Sequence, residues 1–346
     1  MRVGLVYDRF GDTPRPPGAP DDWDAEYEPE ATVAALEGAL RHLGHEPVRV
    51  GSVARLLAAM RAGPLTDAPL ALGAALSIAE GLGPAEGGTR NREAHAAVLL
   101  ELAGVPALFS DALALSLSLD KHAAKIAVAA AGVLTPRHVV LRPGVPADLG
   151  AADALAGSFS RPLFVKPRYE GTARGIAPTS RVATPAALRA EAARQHALCA
   201  QDLLAEAFVD GDEATVGVVG TGDAAHALPV LLRATEAATG IGLHALGRYE
   251  TPGAPFAYRV APVLAPAVEA RVAAAAVAAH RALGLADVSR SDFRVDPAGR
   301  AWFLEANALP TFAPDGTFAV LAELAGVPYE AWLAGVLAPA FARLGL

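Results

Sequence analysis

The chain has 346 residues, a formal charge of −8, 53% hydrophobic residues and one cysteine. At roughly 150 residues per domain, this length suggests two or three packed units. A lone Cys199 excludes an internal disulfide and a cysteine-rich zinc site and reads as a small buried side chain on a helix. An acidic balance without a basic block argues against nucleic acid or an anionic membrane as the main partner, yet leaves room for ATP, which needs only a few local cations.

"RVGLVY" reads as a first strand. It is followed by a Pro-, Asp- and Glu-rich surface loop over residues 11–30, then by a helix with Val33, Leu36, Leu40 and Leu43 near one face, ended by Gly44 before a second strand. This is the βαβ rhythm of a parallel sheet. Asp8 arrives too early for a signal peptide. Charges such as Glu269, Arg271 and Arg281 interrupt the long Ala-rich window, so no run reaches the roughly 18 apolar residues of a spanning helix. The expected location is the cytoplasm. A second loop, "EGLGPAEGGTRNRE", precedes the helix "AHAAVLLELAG" and a strand "VPALFS". After about residue 112 the order becomes helix, strand, glycine-bearing loop, helix from Pro185 to His196, and strand. A strand-rich stretch, an Ala-rich helix over 265–283, a hairpin and a final helix complete the chain. The fold class expected is α/β followed by α+β, with units at 1–115, 116–208 and 209–346.

"SRSDFRV", "DPAG" and "RAWFLEAN" form a hairpin whose turn carries Asp296, Pro297 and Gly299 at positions one, two and four of a type I turn. An even loop pairs Val295 with Arg300, Asp292 with Phe303 and Arg290 with Glu305. Because directly paired residues share a face, Arg290, Asp292, Glu305 and Asn307 then emerge together. Two carboxylates and an amide suit Mg2+, which binds one or two carboxylates and leaves the rest of its octahedron to water and phosphate. An adjacent arginine can steady a developing oxyanion. A structural ion-pair network would use the same residues.

"FVKPRYEGTARGI" adds Lys166 at the end of an apolar strand and a loop from Glu170 to Gly175, whose Gly171 and Gly175 permit close approach to phosphate oxygens. It matches neither a Walker A sequence nor a dinucleotide fingerprint. In "LLAEAFVDGDEATVGVV", Glu206, Phe208 and Val209 sit at a strand end suited to reading an adenine edge, and Glu213 to accepting from ribose hydroxyls; an ordinary strand and turn is the other reading.

Taken in order, "LLELAGVPALFSDALALSLSLDKHAAK", "PLFVKPRYEGTARGI", "AEAFVDGDEATVGVV" and "SRSDFRVDPAGRAWFLEAN" resemble the ATP-grasp superfamily, and within it the D-alanine:D-alanine ligases, over most of residues 90–310. The resemblance implies an ATP-grasp fold with an N-terminal parallel-sheet domain. It also implies an ATP- and Mg2+-dependent ligase that activates a carboxylate as an acyl phosphate, joins it to an amine and releases ADP and phosphate. Lys121, Lys166, Glu170, Gly171, Thr172 and Ala173 would contact or cover ATP. Glu206, Phe208, Val209 and Leu304 would surround adenine, and Glu213 would hold the ribose. Asp292, Glu305 and Asn307 would hold two magnesium ions, with Mn2+ able to substitute. Arg290, with Arg248 and Tyr249 matching the family's lysine-tyrosine pair, would serve the chemistry. A homodimer is compatible with the family.

Three places depart from the family's pattern. The N-terminal loop is long and proline-rich, Thr311 in "ALPTFAP" replaces a glycine with no serine equivalent after it, and "REAHAAV" lacks the usual glycine-acidic-acidic-glycine run, leaving Arg92 and Glu93 toward the first substrate. The substrates expected are amino acids or a small peptide, with an altered acceptor pocket. A true D-alanine:D-alanine ligase and an ATP-binding regulatory protein without ligation are the alternatives. His95, His122 and His244 read as surface or packing residues.

Overall fold

A computed structural model describes residues 1–15, 23–81, 90–157, 160–242, 258–259 (backbone only) and 264–346. Near the N-terminus, β1 (Arg2–Val6), β2 (Glu46–Gly51) and β3 (Ala74–Ser77) form a parallel sheet in the order β2-β1-β3. Helix α1 (Glu30–His42) buries Val33, Leu36 and Leu40 against one face, and Gly44 takes φ +80° just after it. That left-handed value costs glycine nothing and stops the helix. Helices α2 (Val53–Ala62) and α3 (His95–Leu102) pack on the other face. The expected strand "VPALFS" contributes only a parallel bridge, Ala75 to Ala107.

The expected lysine-bearing helix is two helices, α4 (Ala112–Leu119) and α5 (Lys121–Ala130). Asp120 ends the first and caps the second, its carboxylate accepting from His122 N and Ala123 N. A four-stranded antiparallel sheet follows, ordered β4-β7-β5-β6, from β4 (His138–Leu141), β5 (Leu163–Pro167), β6 (Arg181–Val182) and β7 (Leu203–Ala207). Helices α6 (Pro146–Leu155) and α7 (Pro185–Cys199) cover its outer face.

The third sheet runs β11-β10-β8-β12-β13, with β9 (His226–Ala227) on β8. Its strands are β8 (Asp212–Val219), β10 (Leu231–Arg233), β11 (Tyr258–Arg259), β12 (Val288–Val295) and β13 (Ala301–Asn307). Helix α8 (Pro266–Ala282), α4 and α5 share a core with its outer face around Phe293 and Phe303. The closing helices α9 (Thr317–Ala325) and α10 (Tyr329–Leu344) return to the first sheet, where Phe318, Leu333, Leu337 and Phe341 join Val3, Leu5 and Leu36. Among the described residues no single helix is long and apolar enough to cross a membrane.

The register of the β12-β13 hairpin differs from the one expected. Val295 pairs with Ala301, Phe293 with Phe303, Asp292 with Glu305 and Arg290 with Asn307. Two one-residue shifts account for this. A type I turn twists the wrong way for a hairpin unless a left-handed residue follows, and Gly299, at φ +72°, supplies it and makes the loop odd. Leu304 is then the extra residue of a bulge. Together the shifts keep the four polar residues on one face, but they send Phe303 to the opposite, core face.

Candidate active site

A cleft opens between the inner faces of the second and third sheets, enclosing about 860 Å³ including its open mouth. Its roof comes from β5, β7 and the loop after β5. Phe164 and Glu206 are cross-strand partners, and Lys166 lies two residues along on the same face. Its floor is built in rows across the third sheet. Arg233, Glu213 and Arg294 form one row, Thr215, Asp292 and Glu305 the next, and Gly217, Arg290 and Asn307 the third. The apolar sides of the cleft are Phe164, Ile176, Phe208, Ile241 and Leu304.

Of the residues singled out in the sequence, Lys121, Lys166, Glu170, Gly171, Ala173, Glu206, Phe208, Val209, Glu213, Asp292, Leu304 and Glu305 line this one cleft. Arg290 stands at its end, Nη2 3.3 Å from Asp292 Oδ2, with Asn307 directly across from it. Thr172, at φ +51°, turns the loop without lining the cleft. Arg92, Glu93 and Thr311 also lie off it. Arg248, Tyr249 and His244 fall outside the described residues. Sequence reading passed over Lys125, Arg174, Arg233 and Arg294. Two carried a visible signal: Lys125 follows Lys121 by one helical turn, and Arg294 continues the alternation of Arg290 and Asp292.

Charges in the cleft are closely matched. Glu206 lies 2.8 Å from both Lys125 Nζ and Lys166 Nζ. Burial pushes its carboxyl up, but the two ammonium groups outweigh burial and hold it at about 2. Burial likewise draws Lys166 down, and Glu206 and Glu305 more than restore its proton. Lys125 donates as well to Thr135 Oγ1 at 3.0 Å and to Phe303 O at 3.2 Å, at the foot of the bulge. With both oxygens against lysines, Glu206 acts first as the roof's anchor.

On the floor, Asp292 accepts from Thr215 Oγ1 at 2.6 Å and from Arg233 Nη1 at 3.3 Å. Glu305 lies 3.4 Å from Lys121 Nζ. Burial raises its carboxyl, and Lys121 and Lys166 lower it below the usual carboxylate range. Burial prevails at Glu213 and raises it despite Arg233 and Arg294. Asp292 and Glu305, paired across adjacent strands and facing the cleft, are hard oxygen donors of the kind Mg2+ takes, so this donor set fits the metal.

The loop over the cleft is tied to the N-terminal unit. Gly171 N donates to Glu26 Oε1 at 2.5 Å, and Glu26 Oε2 accepts from Arg92 Nη2 at 2.5 Å. A Cβ on Gly171 would come within 2.6 Å of Glu26 Oε1, so this glycine admits a carboxylate where a phosphate oxygen was expected. Around Arg92 stand Glu80 at 3.5 Å and Glu93 at 3.7 Å. Burial, opposed by Arg92 and aided by Glu26, pushes Glu93 up to about 7. The "ALPTFAP" loop is also engaged. Thr311 Oγ1 donates to Glu28 Oε2 at 3.1 Å, and Phe312 is fully buried against Phe109 and Phe318.

A family model described as the D-ala D-ala ligase C-terminus matches residues 128–338. A D-alanine--D-alanine ligase of Cupriavidus necator is 34% identical over 243 residues, 70% of each chain. One from Bordetella petrii is 35% identical over 245 residues, 71% of each. Among solved structures, the D-alanine--D-alanine ligase of Bacillus anthracis complexed with ATP is similar at TM-score 0.68 and 18% identity, over 99% of this chain and 98% of that one. The VanG D-Ala:D-Ser ligase of Enterococcus faecalis is similar at TM-score 0.71 and 16% identity, over 98% of both. These two likenesses concern the fold alone.

Proposed function

Since the chain belongs to the D-alanine:D-alanine ligase family of ATP-dependent, ADP-forming carbon-nitrogen ligases, we propose that it joins an amino acid or small peptide to an amine through an acyl phosphate, with an acceptor pocket of its own. The observation that carries the reading is the cleft, where one face presents Asp292, Glu305 and Arg290 and the opposite wall presents Lys166 and Glu206. The purine would lie among Phe164, Ile176 and Leu304 beside the backbone of Ala207 to Val209, with the ribose toward Glu213. Lys121 and Lys166 would neutralise the phosphates, and Arg290 would steady the transferring group, so that positioning and charge carry the step. Asp292 and Glu305, with Asn307 beside them, would hold magnesium, which when bound supplies charge neutralisation to the phosphates.

An acceptor pocket unlike that of a cell-wall ligase is supported by Thr311, whose hydroxyl is committed to Glu28, a carboxylate that also accepts from Thr32 at 2.8 Å. With Phe312 packed into the core beside it, this loop presents a different surface from the family's glycine and serine. The identities of the relatives favour one second reading, a D-alanine:D-alanine ligase. A coupled ADP-release screen of amino acids, singly and in pairs with Mg2+ and ATP, tests both. ADP release stimulated by a pair other than D-alanine with itself, with hydroxamate on adding hydroxylamine, is expected. Stimulation by D-alanine alone selects the second reading, and formation of AMP and pyrophosphate would remove the acyl-phosphate mechanism.

A further inference from the structure

Arg233 ends the short strand β10, is 4% exposed, and lines the cleft. Nothing in the family resemblance assigned it a part. Its Nη1 lies 3.3 Å from Asp292 Oδ2 and 3.7 Å from Glu213 Oε1, so the guanidinium bridges two rows of the floor. On the proposed reading, Glu213 faces the ribose and Asp292 the metal-bound end of the triphosphate. The group that joins these two parts of a nucleotide is its first phosphate, and among the described residues the cation that reaches both carboxylates is Arg233, whereas Arg290 lies 3.3 Å from Asp292 and Arg294 3.6 Å from Glu213. Lys166 Nζ belongs to the roof, 2.8 Å from Glu206, and Lys121 Nζ lies 3.4 Å from Glu305, one strand beyond Asp292.

We infer that Arg233 is a further nucleotide-binding residue, contacting the α-phosphate from the floor of the cleft. A guanidinium suits this place because its planar fork matches phosphate oxygens in pairs and its charge is permanent. It also offsets the repulsion that the α-phosphate would meet from Glu213 and Asp292 on either side. This inference rests on the ATP-ligase reading and adds to it a specific contact shared by AMP, ADP and ATP.

The test is calorimetric titration of the full-length protein with AMP, ADP and a non-hydrolysable ATP analogue, each with EDTA and again with Mg2+, for wild type, Arg233→Met and Arg233→Lys. In EDTA the Met variant is expected to weaken all three nucleotides by a similar factor, on the order of tenfold. The Lys variant, keeping the charge without the fork, is expected to fall between. Unchanged metal-free affinities in the Met variant, with tighter Mg2+-dependent binding, would make Arg233 only a counter-charge to Asp292 and overturn the assignment. Circular dichroism separates loss of fold from loss of binding, and the Lys variant carries the comparison if the Met variant unfolds. Wild type that binds no nucleotide would instead overturn the ATP reading itself.

Discussion

Each oxygen of Glu206 meets a different lysine at 2.8 Å, whereas Glu305 meets a single lysine at the longer distance of 3.4 Å. On the proposed reading, the contrast separates an anchoring carboxylate from one that would take a magnesium ion. Glu305→Gln keeps size and polarity and removes the charge that Mg2+ needs, so it should leave the circular dichroism spectrum unchanged, weaken Mg2+ binding and cut turnover by orders of magnitude. Unaltered turnover would take Glu305 out of the metal site. A second residue gives a pH dependence. His280 is fully buried; its Nε2 donates to Gly220 O at 3.1 Å and its Nδ1 lies 2.7 Å from Ser289 Oγ. Burial holds the imidazole down at about 4, against about 6.5 in an unfolded chain. Between these values the unfolded state binds the proton first. The neutral ring's contribution is therefore full above about pH 6.5 and is lost as pH falls toward 4, amounting to about 3 kcal/mol. Urea unfolding from pH 7 to 4.5 should show a shallower decline in His280→Gln than in wild type; parallel curves would count against this origin.

At the scale of elements, two devices set the site. The first is the pair of compensating shifts in the β12-β13 hairpin, which place Asp292 directly across from Glu305 and turn Phe303 into the core. Alternation along the sequence was enough to group the polar residues. Their partners were not legible, because a bulge leaves no period-2 signature in a single strand. The second device is the loop over the cleft, whose Gly171 accommodates Glu26. Gly171→Ala should push that carboxylate away, raising KM for the amino-acid substrate severalfold while the affinity for ADP changes little. An equal loss for both ligands would mean that the loop itself had collapsed.

At the scale of the whole molecule, Asp287 joins segments far apart in sequence. Its carboxylate accepts from Phe109 N at 2.8 Å, from Thr221 Oγ1 at 3.1 Å, and from Arg343 at 2.7 Å through both Nε and Nη2. It also sits at φ +65°, unusual for a residue with a side chain. This single buried group ties the segment after α3, the start of β12 and the C-terminal helix together. Asp287→Ala should cost about 1–3 kcal/mol in urea unfolding, because it leaves the buried Phe109 N–H without its acceptor. A loss below about 1 kcal/mol would show that the packing of α9 and α10 on the first sheet suffices without it.

What the sequence determined by itself was local: the βαβ rhythm, the hydrophobic faces, the glycine-bearing loop, the alternation of Arg290 and Asp292, and the ordered motifs that mark the family. These follow from interactions between near neighbours, so they leave a periodic or contiguous trace. Only the tertiary structure decided that Glu206 anchors two lysines, that Gly171 faces Glu26, that Thr311 reaches Glu28 and that Arg233 and Arg294 enter the floor. Each of these is a contact between charged or polar groups on separate elements, and the energy that fixes it depends on burial and distance, neither of which is written in the order of the residues.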